Sequence, residues 1–357
     1  MSKILIITSS LQLGGIERVS SNLANEFSNA GHSIHYFCIF RHTPFFDLSE
    51  NIVRIEPKLK KPQRFNILDA PIRIRKAVKK INPDSVLVFN KFYGTLTLLG
   101  LVGLNYPVYI SERASPFYRF PLIIELFNNM VFLFVNPSGV IAQTEFAARC
   151  QRRFYKTGTP IRVINNPLRE IEVFELLRKP IVLGVGRLAD HLKGFDLLVE
   201  AWAHVKNKSW KLVLTGSRQE NTKLAELAGK MNLHERIEFI GRVNDIDRLY
   251  AEAGMIVIPS RSEGFPNAMV EAMAAGLPVI SFNFQAGPEE ILVNNHNGIL
   301  VENGNTEKLA EKIDLLIENK EERVRLGKNA KEIRIRLDRN KICREFLNFI
   351  LPEGSFF

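Results

Sequence analysis

Residues 256–280 read Ile256-Val257-Ile258-Pro259-Ser260-Arg261-Ser262-Glu263-Gly264-Phe265-Pro266-Asn267-Ala268-Met269-Val270-Glu271-Ala272-Met273-Ala274-Ala275-Gly276-Leu277-Pro278-Val279-Ile280. Residues 256–259 are apolar and of strand length. Residues 266–275 carry helix formers behind a proline suited to a first helical turn, and Gly276 closes them. Residues 279–282 are apolar again. A strand, a loop, a helix and a second strand in one short stretch make a βαβ unit, whose right-handed crossover lays the strands parallel.

The same rhythm extends both ways. In the first half, strands are predicted at 3–9, 34–40, 52–56, 85–89, 108–111 and 139–143. Helices are predicted at 17–29, closed by Gly31, and at 72–81, closed by Asn82-Pro83. The pattern weakens over 165–179, which contains Asn165-Asn166-Pro167. It restarts at 181–185 and alternates through strands at 211–215, 237–240, 256–259, 279–282 and 299–301. Helices lie between them, and residues 321–350 read as helical throughout. The expected fold class is therefore α/β, with two doubly wound, Rossmann-like domains facing a cleft. Their extents are 1–170 and 171–335, followed by a terminal helix over 336–357. Ligands of such sheets sit at the carboxyl ends of the strands.

Composition agrees. A chain of 357 residues and 40.7 kDa fits two domains. A hydrophobic share of 46% with 24% charged residues excludes disorder as the main state. Cys38, Cys150 and Cys343 are few and far apart. They argue against a disulfide framework or a cysteine zinc site, and for a reducing, cytoplasmic setting. The net charge of +10 lies in the first half. Residues 1–178 hold 23 Lys and Arg against 13 Asp and Glu, and residues 179–357 hold 25 of each. A one-sided basic field implies an anionic partner: a membrane surface, nucleic acid or a phosphorylated acceptor. No recognised nucleic-acid motif accompanies the charge, so nucleic acid is not expected.

No secretory signal is expected, since the first apolar run, 4–7, lacks a charged leader and a long apolar region. The stretch 120–135 is the most apolar later on. Glu125, Asn128 and Asn129 interrupt it, which argues against a spanning helix but not against a helix lying on a membrane.

Three loops carry candidate chemistry. Leu13-Gly14-Gly15-Ile16-Glu17-Arg18 follows the first strand. A glycine pair there lets backbone N–H groups approach a phosphate, or merely serves the βα turn. Gly184-Val185-Gly186-Arg187-Leu188-Ala189-Asp190-His191-Leu192-Lys193-Gly194-Phe195 follows the first strand of the second half. Arg187 and Lys193 beside a helix start suit a diphosphate leaving group without a metal, or are solvated surface cations. Neither loop is GxGxxG, which weakens a nicotinamide-cofactor reading. In the third loop, Glu263 and Glu271 can accept from sugar hydroxyls, and Gly264 and Phe265 place backbone donors at a helix start. Glu271 sits among Ala, Met and Val, and a buried carboxylate needs a partner.

With these residues in place, the chain resembles the family 4 (group 1) glycosyltransferases of GT-B fold. The resemblance rests on Gly14-Gly15-Ile16-Glu17-Arg18, on Gly186-Arg187-Leu188 followed by Lys193-Gly194, and on Glu263-Gly264-Phe265-Pro266 through Glu271. Gly276-Leu277-Pro278-Val279-Ile280 and Asn297-Gly298-Ile299-Leu300-Val301 add to it. It implies retaining transfer from a nucleotide-sugar, a UDP-sugar here, without an obligatory metal or cofactor. Arg187 and Lys193 would hold the diphosphate, Glu263 would face the donor sugar and Glu271 the ribose. Gly264 and Phe265 would offer N–H groups, and Gly15 would meet the diphosphate from the first domain. Arg242 and Val243 lie where the family contacts the base. The terminal helix would fold back on the first domain. The acceptor would be a bacterial surface glycan on a lipid diphosphate. Many members carry His on the acceptor side where this chain has Arg113, which either binds an acceptor phosphate or pairs with Glu112.

Other readings compete. A nucleotide-sugar epimerase or a glycan phosphorylase can use a similar scaffold, and a non-catalytic membrane or polymer binder would explain the basic half. Asp245-Ile246-Asp247 mimics a metal-binding DxD but opens a helix, where capping and the dipole favour Asp. No metal site is expected. The basic tract Lys58, Lys60, Lys61, Arg64, Arg73, Arg75, Lys76, Lys79 and Lys80 either faces solvent or docks to an anionic surface. The run 117–135, with Phe117, Phe120, Phe127, Phe132 and Phe134 beside Arg113 and Arg119, either fills the core or meets a membrane. A cytoplasmic protein peripheral to the inner membrane follows from the second option.

Overall fold

The strands pair in parallel in both sheets of the computed structural model, which describes residues 1–58, 63–118, 120–216, 222–285 and 287–351 (the backbone alone at 63, 64 and 222). The chain forms two units. One holds Met1–Pro167 together with Arg339–Phe357, the other Leu168–Asp338. The linker read from 165–179 thus narrows to the step from Pro167 to Leu168, and the chain returns to the first unit at Arg339.

The first unit contains, in order, β1 (Lys3–Thr8), α1 (Gly15–Asn29), β2 (Ser33–Cys38), β3 (Val53–Ile55), α2 (Gln63–Ile81), β4 (Ser85–Phe89), α3 (Lys91–Gly100), β5 (Val108–Ser111), α4 (Leu122–Phe134), β6 (Gly139–Ala142), α5 (Glu145–Gln151) and β7 (Ile161–Val163). The second contains β8 (Ile181–Val185), α6 (Phe195–His204), β9 (Lys211–Thr215), α7 (Thr222–Lys230), β10 (Ile237–Gly241), α8 (Ile246–Glu252), β11 (Met255–Ile258), α9 (Asn267–Ala274), β12 (Val279–Asn283), α10 (Pro288–Ile291), β13 (Ile299–Glu302), α11 (Thr306–Glu318), α12 (Lys320–Ala330) and α13 (Ile333–Arg336). The last helix, α14 (Arg339–Ile350), belongs to the first unit.

The strand orders are β3-β2-β1-β4-β5-β6-β7 and β10-β9-β8-β11-β12-β13. Each order reverses beside its first strand, the signature of a doubly wound sheet. The strands are continuous apolar runs because helices cover both faces. On β1, Ile4 and Ile6 join the core under α1 and α14, while Leu5 and Ile7 join the core under α2, α3 and α4. That split is the period-2 alternation of a strand.

Three elements differ from the sequence reading. Helix α2 begins at Gln63 and runs through Pro71, although Pro71 has no N–H to give. Helix α3 packs closely there: a Cβ on Gly100 would lie 2.5 Å from the Pro71 carbonyl oxygen. Strand β7 is a three-residue edge that periodicity does not detect. The stretch 321–350 is three helices, interrupted around Lys331 and Leu337. Lys60, Lys61 and Arg119 lie outside the described residues, as does the side chain of Arg64.

Candidate active site

In the second unit the candidate residues follow β8, β10 and β11, at the carboxyl ends of parallel strands. The loop after β8 makes a tight turn in which Asp190 Oδ1 accepts from Leu192 N at 3.1 Å. Arg187 projects outward, 77% exposed, and pairs with Asp190 at 2.6 Å. Gly194 has φ +66°, and a Cβ there would lie 2.0 Å from the Pro259 carbonyl oxygen. Only glycine fits both constraints.

The loop after β11 is tied to this turn. Arg261 N donates to Leu192 O at 2.8 Å. The Arg261 guanidinium clasps both oxygens of Asp196, at 2.7 and 2.6 Å, and reaches His191 O at 2.9 Å. Burial works to raise the Asp196 pKa, but the Arg261 fork outweighs it and holds the carboxyl below its ordinary range. With the loops joined, Lys193 Nζ lies 2.8 Å from Glu263 Oε2, and Ser260 Oγ donates to Glu263 Oε1 at 2.6 Å. The Lys193 stem lies beside Gly186, with Cδ 3.6 Å from where a Cβ would stand. Among the described residues no protein acceptor takes the N–H groups of Gly264 or Phe265 just before α9. Phe265 is buried and anchors this turn in the core.

Glu271 is 5% exposed, and its partners are now identified. Tyr250 Oη donates to Glu271 Oε2 at 3.4 Å, and Arg169 Nη2 donates to the same oxygen at 3.3 Å. Asp247 holds Arg169 from the other side, accepting from Nη1 at 2.8 Å and also from Nη2. Glu172 N donates to Asp247 as well, at 2.9 Å. Burial alone would lower the Arg169 pKa, but Asp247 and Glu271 more than compensate and keep the guanidinium charged. The reading of Asp245 and Asp247 as a helix opening therefore holds in part. Asp245 caps α8 by accepting from Arg248 N at 3.0 Å, while Asp247 fixes Arg169. Among the described residues, no three His, Cys, Asp or Glu side chains converge as a cation site.

Arg242 and Val243 follow β10 at its end, Arg242 exposed and Val243 half-buried. Gly241, at φ +69°, turns the chain there, and its carbonyl accepts from Thr215 Oγ1 at 2.7 Å and Gly216 N at 2.9 Å. The structure thus brings Lys193 and Glu263 into contact, while Arg187, Arg242 and Val243 occupy neighbouring loops at the strand ends.

In the first unit, Gly15 opens α1 and is exposed. Its neighbour Gly14 is pressed by Glu17: a Cβ on Gly14 would stand 2.1 Å from Glu17 Oε2, while Oε1 accepts from Ser9 Oγ at 2.5 Å. Glu112 and Arg113, after β5, point to different surroundings. Arg113 is buried. It donates to Ser111 Oγ at 2.8 Å and to Ile164 O and Asn166 Oδ1, each at 3.0 Å, and lies over the Phe346 ring of α14. Burial pulls its pKa down to about 9. Its guanidinium braces β5, β7 and α14, while its backbone N–H donates to the Glu112 carboxylate and the Glu112 charge works to raise the Arg113 pKa, so of the two sequence alternatives the link to Glu112 runs through the backbone and through charge. Glu112 accepts from Lys91 N at 2.9 Å and Ala114 N at 3.1 Å, and burial raises its pKa. It borders a cavity of about 40 Å³ with Lys91, Phe120, Glu125, Gln151 and Tyr155. Lys91 Nζ sits 3.7 Å from the centre of the Phe154 ring.

Sequence reasoning missed Arg169, Tyr250, Ser260 and Arg261. Arg169 stood in a polar stretch read as linker. The one available signal was Asp247, an acidic residue one position inside a short helix.

Comparison with known proteins follows the same division of the chain. The model "Glycosyltransferase Family 4" matches residues 13–169, and "Glycosyl transferases group 1" matches residues 169–333. An uncharacterised glycosyltransferase of Haemophilus influenzae is 29% identical over 312 residues, covering 86% of this chain and 88% of its own. The GalNAc-alpha-(1->4)-GalNAc-alpha-(1->3)-diNAcBac-PP-undecaprenol alpha-1,4-N-acetyl-D-galactosaminyltransferase of Campylobacter jejuni is 27% identical over 365 residues, covering 98% of each chain. The crystal structure of Anabaena Alr3699/HepE in complex with UDP-glucose aligns over 98% of this chain and 99% of that one, with a TM-score of 0.79 at 18% identity. Two tandem family matches, two doubly wound sheets and a carboxylate-and-cation constellation at the strand ends lead to one assignment: the chain belongs to the group 1 glycosyltransferases of GT-B fold.

Proposed function

We propose that this glycosyltransferase moves a sugar from a UDP-sugar to a lipid-diphosphate-linked glycan, with retention and without a metal, in bacterial surface polysaccharide or glycoconjugate assembly. The observation that carries the reading is the Lys193–Glu263 pair beside the N–H groups of Gly264 and Phe265. In the donor complex the Lys193 ammonium turns to the diphosphate, and Glu263 accepts from donor-sugar hydroxyls. Arg187, exposed on a surface turn, adds a second cation, and Gly264 and Phe265 donate from the backbone. Glu271, fixed by Arg169 and Tyr250, accepts from the ribose. Arg242 and Val243 flank the base. Glu112 and Arg113 serve the acceptor side, Arg113 by shaping the loop rather than by touching substrate.

The bond from the anomeric carbon to the diphosphate oxygen breaks as the acceptor oxygen bonds to the same face of the sugar. The acceptor proton passes to the departing diphosphate, whose negative charge the cations and backbone donors stabilise. Pre-organised charge of this kind is what a metal supplies elsewhere. The UDP-glucose complex of the Anabaena protein supports the donor class. The polyprenyl diphosphate and the α linkage in the Campylobacter enzyme's name support the acceptor class and retention. Such an acceptor places the enzyme at the cytoplasmic face of a membrane.

One experiment tests the reading. A panel of UDP-hexoses and UDP-N-acetylhexosamines is incubated with undecaprenyl-diphosphate-linked acceptors in the presence of a chelator. The expected result is UDP release that depends on acceptor, with an α-linked product by NMR. Epimerised donor, sugar 1-phosphate, a β-linked product, or activity restored only by Mg²⁺ or Mn²⁺ would overturn it.

A further inference from the structure

Helix α4 is built inside out. Its core-facing side carries Asn128, Val131 and Phe132, and Asn128 Oδ1 accepts there from Thr95 Oγ1 at 2.7 Å. Its outer side carries Leu122, Ile123, Leu126, Met130, Leu133 and Phe134, each more than half exposed. At 100° per residue these six fall within an arc of about 120°. Asn129 is the polar residue at the edge of that arc, and the helix holds one ionisable group, Glu125, which turns to the small cavity beside Lys91 and Glu112. The chain before α4 continues the face: Phe117 and Tyr118 are exposed, and Phe117 lies against Phe146 with ring centres 5.7 Å apart. A contiguous apolar face of this kind marks an interaction site.

Charge decides what covers it. The first unit holds 24 Lys and Arg against 12 Asp and Glu. Cations border α4 on the side of α5. Arg149 lies 5.9 Å from the centre of the Phe146 ring. Arg152 and Arg153 are exposed on the turn that follows α5, and Arg153 lines the same cavity as Glu125. Lys156 N bonds Asn136, two residues beyond the end of α4. A second copy of the chain would have to bury these like charges against each other. An anionic bilayer neutralises them while taking up the apolar side chains. At 13 residues α4 is too short to span, and among the described residues no helix is long and apolar enough to cross a membrane.

We propose that α4 is the membrane-docking element of the protein: it lies in the plane of a leaflet rich in anionic phospholipid, with Leu122, Ile123, Leu126, Met130, Leu133 and Phe134 in the acyl boundary and Arg149, Arg152, Arg153 and Lys156 at the headgroups. Of the two sequence readings for 117–135, the core reading holds for Phe132, while Phe134 faces outward, as the membrane reading requires. The purpose of the docking rests on the lipid-linked acceptor proposed above, whereas the docking itself is measurable without acceptor.

The test is flotation of the full chain with vesicles of phosphatidylcholine containing about 30 mol % phosphatidylglycerol, against phosphatidylcholine alone, at low and high salt. Wild type is expected to partition to the anionic vesicles at least about tenfold more than to the neutral ones at low salt, and the preference should shrink at high salt. The Ile123→Glu, Leu133→Glu double variant should lose at least about tenfold of that partitioning, since both side chains face outward and the core is untouched. Arg152→Glu with Lys156→Glu should lose the preference for anionic lipid. Unfolding midpoint and UDP affinity, the controls for folding, should not move. Failure of wild type to float, equal flotation of the α4 variant, or a solution dimer that the α4 variant splits into monomers would each overturn the proposal. Vesicle binding with no transfer from any nucleotide-sugar would overturn the proposed function and leave the docking standing. Transfer to a soluble acceptor without vesicle binding would do the reverse.

Discussion

Lys193 Nζ and Glu263 Oε2 lie 2.8 Å apart although 70 residues separate them, because Arg261 stitches their two loops together. The pair has one cation and one carboxylate to offer to two parts of a donor. Lys193→Ala should cost about 2–4 kcal/mol of transition-state stabilisation, read as kcat/KM. Arg187→Ala should cost less, because Arg187 is largely exposed and must exchange its pairing with Asp190 for the ligand. Glu263→Gln should reduce affinity for UDP-sugar while leaving that for UDP nearly unchanged. Titration calorimetry with both ligands checks the split, and equal losses for the two would reject it.

Arg169 is expected to act through Glu271. Arg169→Ala leaves a buried carboxylate with Tyr250 as its remaining hydrogen-bond donor among the contacts described above, and should weaken UDP binding by about 1.5–3 kcal/mol, the range of hydrogen bonds to charged groups. Asp247→Asn should weaken it less, since Glu271 keeps the guanidinium. Arg169→Lys should restore part of the loss. A double-mutant cycle of Arg169→Ala with Glu271→Gln, read by UDP affinity, should show strong coupling. Additive losses would separate the two residues.

Gly194→Ala tests the tie between the loops at its tightest point. The left-handed backbone at φ +66° and the Pro259 carbonyl 2.0 Å from the new Cβ act together. The expected loss of folding stability is about 2–4 kcal/mol, a backbone penalty plus a steric one, measured by urea unfolding.

The Asp196–Arg261 pair makes a prediction in pH. The folded carboxyl lies below its ordinary pKa of 3.8, so its contribution is complete above that value and is lost as pH falls through the folded pKa. Unfolding curves of wild type and Asp196→Asn should differ at neutral pH and converge as pH falls below 3.8. Curves that remain parallel down to acid would place the stabilisation elsewhere.

The parallel sheets were legible because strands covered on both faces, such as Ile4 to Ile7, leave unbroken apolar runs. Glu263 and Glu271 were legible because one loop and one helix carry both. Arg169 was not, since its partners Asp247 and Glu271 stand 78 and 102 residues away and no local pattern records them. The inward turn of Arg113 was hidden for the same reason: the ring beneath it, Phe346, arrives from the far end of the chain. Pro71 concealed the first turns of α2, because propensity marks a break at a proline that the helix in fact runs through. In α4, composition alone could not divide one apolar run between the core and the surface.

The placement of α14 bears on how the protein is made. One face of the first sheet is completed by Ile342, Cys343, Phe346, Leu347 and Ile350, which the ribosome delivers only after all of Leu168–Asp338. The second unit has every residue of its own core by then and can close first. The half that is synthesised earliest therefore has its full core only once α14 has emerged. Until α14 docks, Phe27 of α1 lacks the Phe346 ring that lies 6.4 Å from it, and the apolar positions that α14 supplies to this core are missing.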